Sequence, residues 1–396
     1  MENIKNRTEN MFGGSSFVAV IGIILVLIVF SVKYKDTDNI NYKNSDATWH
    51  TLLTIKAYDE TPLSVHKFLP IVSLGGKDDK GISWGATVSD ELGNYYYTSF
   101  SPAGYVLPFL FIKLFHLPIS ENSLYLFNAV LSILLVLLWS YFIYSLYYDN
   151  KYKSLIAIIG AITLLLMPEI LHGMGIVYWH QAVMQVMLLA QILAYYKSNK
   201  SKTAKVVFYI ICIINPYVEW TGYVANAGFM IVELFKQWKD NRWKAICLSE
   251  FIGFLTIISF GIFVLHYCTV IDTNLFFEAL KNRFFARNFR VSQPISELLL
   301  GYIDSFKYAW IVLMVLFIVT ILIYKNLSCI KQTVLWKNKY LYALFVFPVL
   351  ENFIMKEHAI SYSYDRMKFG FIIVLIICDL MSLILRLPIP KIDFVP

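Results

Sequence analysis

The chain has 396 residues, of which 58% are hydrophobic, 17% aromatic and only 15% charged, with a formal net charge of +7. That balance excludes a soluble globular domain and points to an all-α polytopic membrane protein. The basic residues stand in short clusters beside long apolar runs and not on one polar domain, so the positive charge reports topology, with no nucleic-acid partner implied.

The first apolar run, Phe17 to Val32, follows Lys5 and Arg7 and has no small-residue cleavage site after it. A retained span over 16–33 is expected there, not a removable signal. Further spans are expected at 122–147, 154–169, 176–196, 246–268, 307–324, 340–355 and 367–386. The run Pro102 to Phe115 is short and carries Lys113. Read as a span, it would put the lysines of 197–205 on the outer side, so an interfacial or re-entrant helix is expected. Residues 206–235 are long for one span, and a hairpin of two short helices broken at Asn215-Pro216 keeps the basic cluster of 236–244 inside.

The result is a single transmembrane domain over 1–396 with about ten helices and both termini in the cytoplasm. A large first outer loop, 34–121, carries interfacial helices, and a second lies at 269–306. Shorter outer segments fall at 169–176 and 356–366. The cytoplasmic loops are short and basic, so any chemistry belongs to the outer face or the membrane. The five cysteines form no C-x-x-C pair and read as packing or lipid-facing residues. No P-loop or dinucleotide fingerprint is present.

Asp46, His50 and Leu53 fall at helical spacing after the first span, a pattern that a solvated interfacial helix also explains. The aromatic run Tyr95 to Tyr97 leads into a Pro/Gly turn. Glu169, His172 and His180 flank the second outer segment, and ionisable groups at the mouth of a span are functional candidates. These three could also bind a divalent metal ion, although their spacing is not metal-specific. Glu219 lies in the hairpin turn, where a carboxylate needs a partner or water; cavity lining and a structural ion pair fit equally.

The segment Lys281 to Arg290 breaks the inside bias of the basic residues. Its Arg283, Arg287 and Arg290 suit a phosphate, and the interleaved phenylalanines suit an acyl or prenyl chain. An amphipathic helix resting on anionic headgroups is the other reading. The last outer segment, Lys356 to Arg366, packs His358 and Arg366 beside two tyrosines and an aspartate.

An acidic helix after the first span, the run Tyr97-Thr-Ser-Phe-Ser-Pro102-Ala-Gly104, a surface helix and Ser120-Glu121 before the second span together resemble the membrane glycosyltransferases of the GT-C superfold. Aminoarabinose transferases and protein mannosyltransferases are the nearest group, and the likeness covers the layout of roughly residues 16–200. It implies transfer of a sugar from a polyprenyl-phosphate donor to a lipid-linked glycan, lipopolysaccharide or protein at the outer face of the inner membrane.

By the resemblance Asp46 is the catalytic base, with His50, Tyr97, Glu169, His172, His180 and Glu219 as substrate contacts. His358 and Arg366 then join Arg283, Arg287 and Arg290 at the donor phosphate. Ser99 stands where aminoarabinose transferases carry a second acidic residue, and Ser101 replaces the first proline of their pair. An O-antigen polymerase would also have about ten spans and an arginine-bearing outer loop, and a lipid-linked sugar flippase or other transporter is the further alternative. The flippase needs mid-membrane ionisable groups or repeat symmetry, whereas here Glu233, Glu250 and Asp379 lie toward span ends.

Overall fold

A computed structural model describes residues 14–34, 45–75, 87–288, 293–324 and 333–386. In chain order the main helices are α1 (Ser15–Tyr34), α2 (Asp46–Glu60), α3 (Ala103–Leu114), α4 (Glu121–Leu146), α5 (Lys153–Leu165), α6 (His180–Ser198), α7 (Lys202–Val218) and α8 (Thr221–Gln237). They continue with α9 (Arg242–Cys268), α10 (Thr273–Asn288), α11 (Ile295–Ser305), α12 (Lys307–Tyr324), α13 (Lys339–Ile354), α14 (Lys356–Ser361) and α15 (Phe369–Ile384). A short antiparallel hairpin, β1 (Thr87–Ser89) and β2 (Tyr95–Tyr97), sets Val88 opposite Tyr96.

Among the described residues five helices are long and apolar enough to cross a membrane: α1, α4, α9, α12 and the stretch Ser363–Ile384 that contains α15. Helix α5 and its continuation Pro168–Ile176, bent by 62°, make a sixth if the pair is counted as one span, and a re-entrant loop otherwise. This is the make-up of an all-α membrane protein. The expected ten is not reached by length and hydropathy, because α7, α8 and α13 have only 17, 17 and 16 residues and α6 carries His180, Gln181, Gln185 and Gln191. Of these, α6 has most of its residues buried in the bundle, whereas α7 turns Val206, Val207, Ile210 and Ile214 outward. The windows of α1 and α12 are only 22% and 17% buried, against 72% for the stretch holding α15.

The bundle helices sort by their ends. Lys33 at the close of α1 donates to the Leu171 carbonyl after α5, Trp49 of α2 donates to Glu121 at the start of α4 (2.5 Å), and Tyr267 at the close of α9 donates to the Tyr97 and Phe100 carbonyls. The start of α8 meets the last turn of α13 and the residues before α15 through Thr221, Glu351 and Lys368. One end of the bundle therefore collects α2, α3, the hairpin, α10, α11 and α14; the opposite end holds the close of α4, α6 and α8 and the start of α1 and α13.

The hairpin of α7 and α8 forms as expected, but its break does not fall at Asn215-Pro216. Helix α7 runs through that pair to Val218, and the reversal comes at Glu219 and Trp220. Proline removes the bond to the carbonyl four residues back, which is that of Cys212. Asn226 of α8 takes over, its Nδ2 donating to that oxygen at 2.7 Å. Gly222 lets the chain turn tightly, since a Cβ there would lie 2.3 Å from the Asn215 carbonyl carbon. Gln191 of α6 ties the pair together, donating to Asn226 Oδ1 and accepting from Asn215 Nδ2, each at 2.7 Å.

The stretch after α5 is not a plain loop. A single turn, Pro168–Leu171, passes into a π-helical turn, His172–Ile176. Its carbonyls are served by α4: Asn128 Nδ2 donates to Gly175 and Val177 (3.2 and 3.0 Å), and Ser132 Oγ donates to Met174 (3.1 Å). Cys212 and Cys378 are free and buried, while Cys247 is free and exposed; Cys329 lies outside the described residues.

Candidate functional site

Asp46 opens α2, where a carboxylate complements the unpaired N–H groups of the first turn. Threonines 48, 51 and 54, with Ile55 and Tyr58, form the buried face of that helix, and the Tyr178 amide donates to Thr48 Oγ1 at 3.0 Å. These contacts leave the Asp46 carboxylate exposed at the rim, where the Tyr362 hydroxyl donates to its Oδ2 at 3.2 Å. Burial, with the Asp46 carboxylate beside it, pushes the Tyr362 phenol up to about 12, so it stays a donor.

One turn along α2, His50 sits among rings. Tyr97 meets it edge-on at 4.6 Å, Trp179 lies at 5.3 Å, and the Tyr105 hydroxyl is 3.5 Å from its Nε2. Burial lowers His50 from its ordinary value to about 3, so the ring is neutral and acts only through hydrogen bonds. Next to it His180 is fully buried between Tyr105 (4.5 Å), Phe100 (5.0 Å) and Trp179 (4.6 Å). Neither His180 ring nitrogen has a hydrogen-bond partner among the described residues.

Beneath the rim lies a layer of buried charges. His358 is bonded to Asp365, and its ring lies 4.6 Å from Tyr362 and 5.6 Å from Phe100. Arg366 donates to Ser305 Oγ (2.8 Å) and the Ala359 carbonyl (2.6 Å), and stands 3.7 Å from Glu169. Lys368 pairs with Glu351 and donates to Thr221 Oγ1 (3.2 Å), while Glu219 accepts from the Thr221 amide (2.8 Å). Arg287, also buried, lies over the Phe100 ring at 5.2 Å and 4.0 Å from Glu357. Fully buried ions are tolerated only when paired in this way.

The expected residues thus divide. Asp46, His50, Tyr97, His180, Arg287 and His358 converge around Phe100, Trp179 and Tyr362. Glu169 is spent on Arg366, and Glu219 joins the Thr221, Lys368 and Glu351 group by accepting from the Thr221 amide. His172 stays a layer away, its ring 6.5 Å from that of Tyr364. Arg283 is half-buried one turn before Arg287, and Arg290 lies outside the described residues. His358 and Arg366 are committed to protein partners, so neither is a bare cation waiting for phosphate.

Sequence reasoning missed Glu351, Lys368 and the pairing role of Asp365. The signal was there: Glu351 is a lone carboxylate inside the apolar run 340–355, and such a group demands a buried cation. Among the described residues no three His, Cys, Asp or Glu side chains converge to hold a metal ion. Glu169 turns to Arg366, His172 lies near Tyr364 and His180 is enclosed by aromatic rings, so the three do not converge as a metal triad. No protein-family model, curated protein or solved structure matches the chain.

Proposed function

We propose that the protein is a membrane glycosyltransferase with about ten spans, which moves a sugar from a polyprenyl-phosphate donor to an acceptor at the outer face of the inner membrane. The observation that carries this reading is the exposed Asp46 carboxylate, one tyrosine away from a buried layer of paired charges that includes Arg287 and Arg366, at a single end of an apolar bundle. A water-soluble nucleotide-sugar domain is not needed when the donor is itself a lipid.

In the proposed reaction Asp46 takes the proton of an acceptor hydroxyl or amine. The freed electron pair bonds to the anomeric carbon, while the bond from that carbon to the phosphate oxygen breaks and polyprenyl phosphate leaves with inversion. Arg287 and Arg283 lie on the helix best placed to meet the phosphate, while Arg366 and Lys368 beneath them are already balanced by Glu169 and Glu351. Neutral His50 and the rings of Tyr97 and Trp179 suit a sugar, which packs an apolar face on aromatics and hydrogen-bonds at its edge.

The lipid part of the donor also has room. An apolar cavity of about 560 Å³ between α12 and α15 is walled by Trp310, Leu313, Phe317, Ile376 and Leu380 and reaches Ile303 of α11. The same helix packs Gly301 so closely on Arg366 that a Cβ would lie 2.9 Å from its Nη1. A prenyl chain in this groove would carry its phosphate toward the charged layer.

The test is purified protein in lipid with radiolabelled polyprenyl-phosphate sugars and a panel of glycan, lipid and protein acceptors. Label should move to one acceptor class, and Asp46→Asn should lower the rate at least about a hundredfold, the scale of lost general-base help. Full activity in that variant would remove Asp46 from the chemistry. Translocation of the lipid-linked sugar without bond formation would make the protein a flippase, and transfer of whole oligosaccharide blocks would make it a polymerase.

A further inference from the structure

The end of the bundle opposite Asp46 carries a second recess that the proposed transfer does not use. Its volume is about 870 Å³, and it is ringed by the last turns of α4, α6 and α8 and the first residues of α1 and α13. Four lysines line it, Lys197, Lys200, Lys236 and Lys337, against one carboxylate, Asp149. Like charges do not gather around a shared hollow without an energetic cost unless something neutralises them.

Two of these lysines are held toward the recess by ring faces and single hydrogen bonds. Lys197 lies 5.0 Å over the Tyr141 ring and donates to Ser145 Oγ at 3.0 Å; Lys236 lies 5.0 Å over the Tyr195 ring and donates to its hydroxyl at 3.3 Å. An ammonium has three donors, so each keeps capacity for a further acceptor. Lys200 and Lys337 are exposed at the mouth.

We propose that this recess binds the phosphate of an anionic phospholipid headgroup. Clustered ammoniums match phosphate oxygens in charge and in hydrogen-bonding sense. The volume, within the range of ligand pockets, holds a headgroup and its glycerol and far exceeds what a lone phosphate needs. Ser15 of α1 forms part of the wall, and α1 is one of the helices least buried in the bundle, so the recess borders the lipid-facing rim. Basic pockets between helices at such a position are suited to anionic headgroups. The inference rests on the membrane setting alone and stands whatever the catalytic end does.

The full-length protein, reconstituted in phosphatidylcholine nanodiscs with or without phosphatidylglycerol, tests this by thermal stability and by native mass spectrometry of retained lipid. The wild type should retain phosphatidylglycerol and melt higher in its presence. Lys200→Gln with Lys337→Gln, both exposed and therefore harmless to the fold, should weaken retention about twenty-fivefold, at about fivefold for each lysine beside an anionic group. Lys239→Gln with Lys244→Gln, exposed and outside the recess, should change nothing. Equal retention by the wild type and the recess variant would overturn the proposal. So would stabilisation by inorganic phosphate alone with no preference for the anionic lipid, which would assign the recess to a soluble phosphate.

Discussion

The Tyr362 hydroxyl donates to the Asp46 carboxylate across a sequence separation of 316 residues, so the first and last segments of the Asp46 end meet in one hydrogen bond. Tyr362 in turn packs on His358, which is bonded to Asp365. The carboxylate proposed as base is therefore oriented by the part of the chain that holds the buried charges.

Tyr362→Phe removes that donor and little packing. The expected outcome is a fall in transfer rate of about three- to tenfold, since the bond is to a charged acceptor but lies at the exposed rim. KM for the acceptor should hold nearly constant, because the carboxylate remains. Steady-state kinetics beside Asp46→Asn would check the order of the two effects. An unchanged rate would make the contact incidental.

His50 gives a pH prediction. Its folded value is lowered to about 3, below the ordinary unfolded value near 6.5, so the folded chain binds fewer protons than the unfolded chain between those limits. Stability is unaffected by this residue above about pH 6.5 and falls as the pH drops through the window below it. Melting temperatures in detergent from pH 7.5 to 4.5 should decline, and His50→Gln should flatten part of that decline. Parallel curves for both proteins would show that the ring is not kept neutral.

Lys368 and Glu351 form a buried pair in which each partner depends on the other. Lys368→Met leaves Glu351 with Glu219 nearby and no cation against it, and about 3–5 kcal/mol of stability should be lost. Adding Glu351→Gln to the same chain should recover much of it, because two apolar or neutral groups no longer carry a desolvated charge. A double variant as unstable as the sum of the singles would contradict the pairing.

Gly104 touches His180 without space to spare: a Cβ would sit 2.2 Å from the His180 Cδ2. Gly104→Ala should therefore destabilise by about 1–3 kcal/mol through overpacking. His180→Ala in the Gly104→Ala background should relieve the clash and raise the melting point again.

Much of the helix order was legible in the sequence because apolar length and the placement of lysines are local signals. The paired helices α7 and α8 and the short α3 followed from the length of their apolar runs read together with charge. The position of the α7 break did not, because Asn226, fourteen residues past Cys212, supplies the hydrogen bond that Pro216 forfeits. The same holds for the site. Asp46, His50 and His358 were visible as polar residues in outer segments, yet the commitment of Arg366 to Glu169, Ser305 and Ala359 depends on three separate segments meeting. Sequence reading identifies which side chains can carry charge, whereas three-dimensional packing decides which charges are already neutralised.

The π-helical turn at His172–Ile176 has a consequence for how this chain can vary. Buried backbone outside a regular ladder needs partners from elsewhere in the protein, and here Asn128 and Ser132 supply them from another helix. Those two side chains act as a detached piece of main-chain scaffolding. Their identities are fixed by the geometry of a segment more than forty positions downstream, so the two regions must change in concert or not at all.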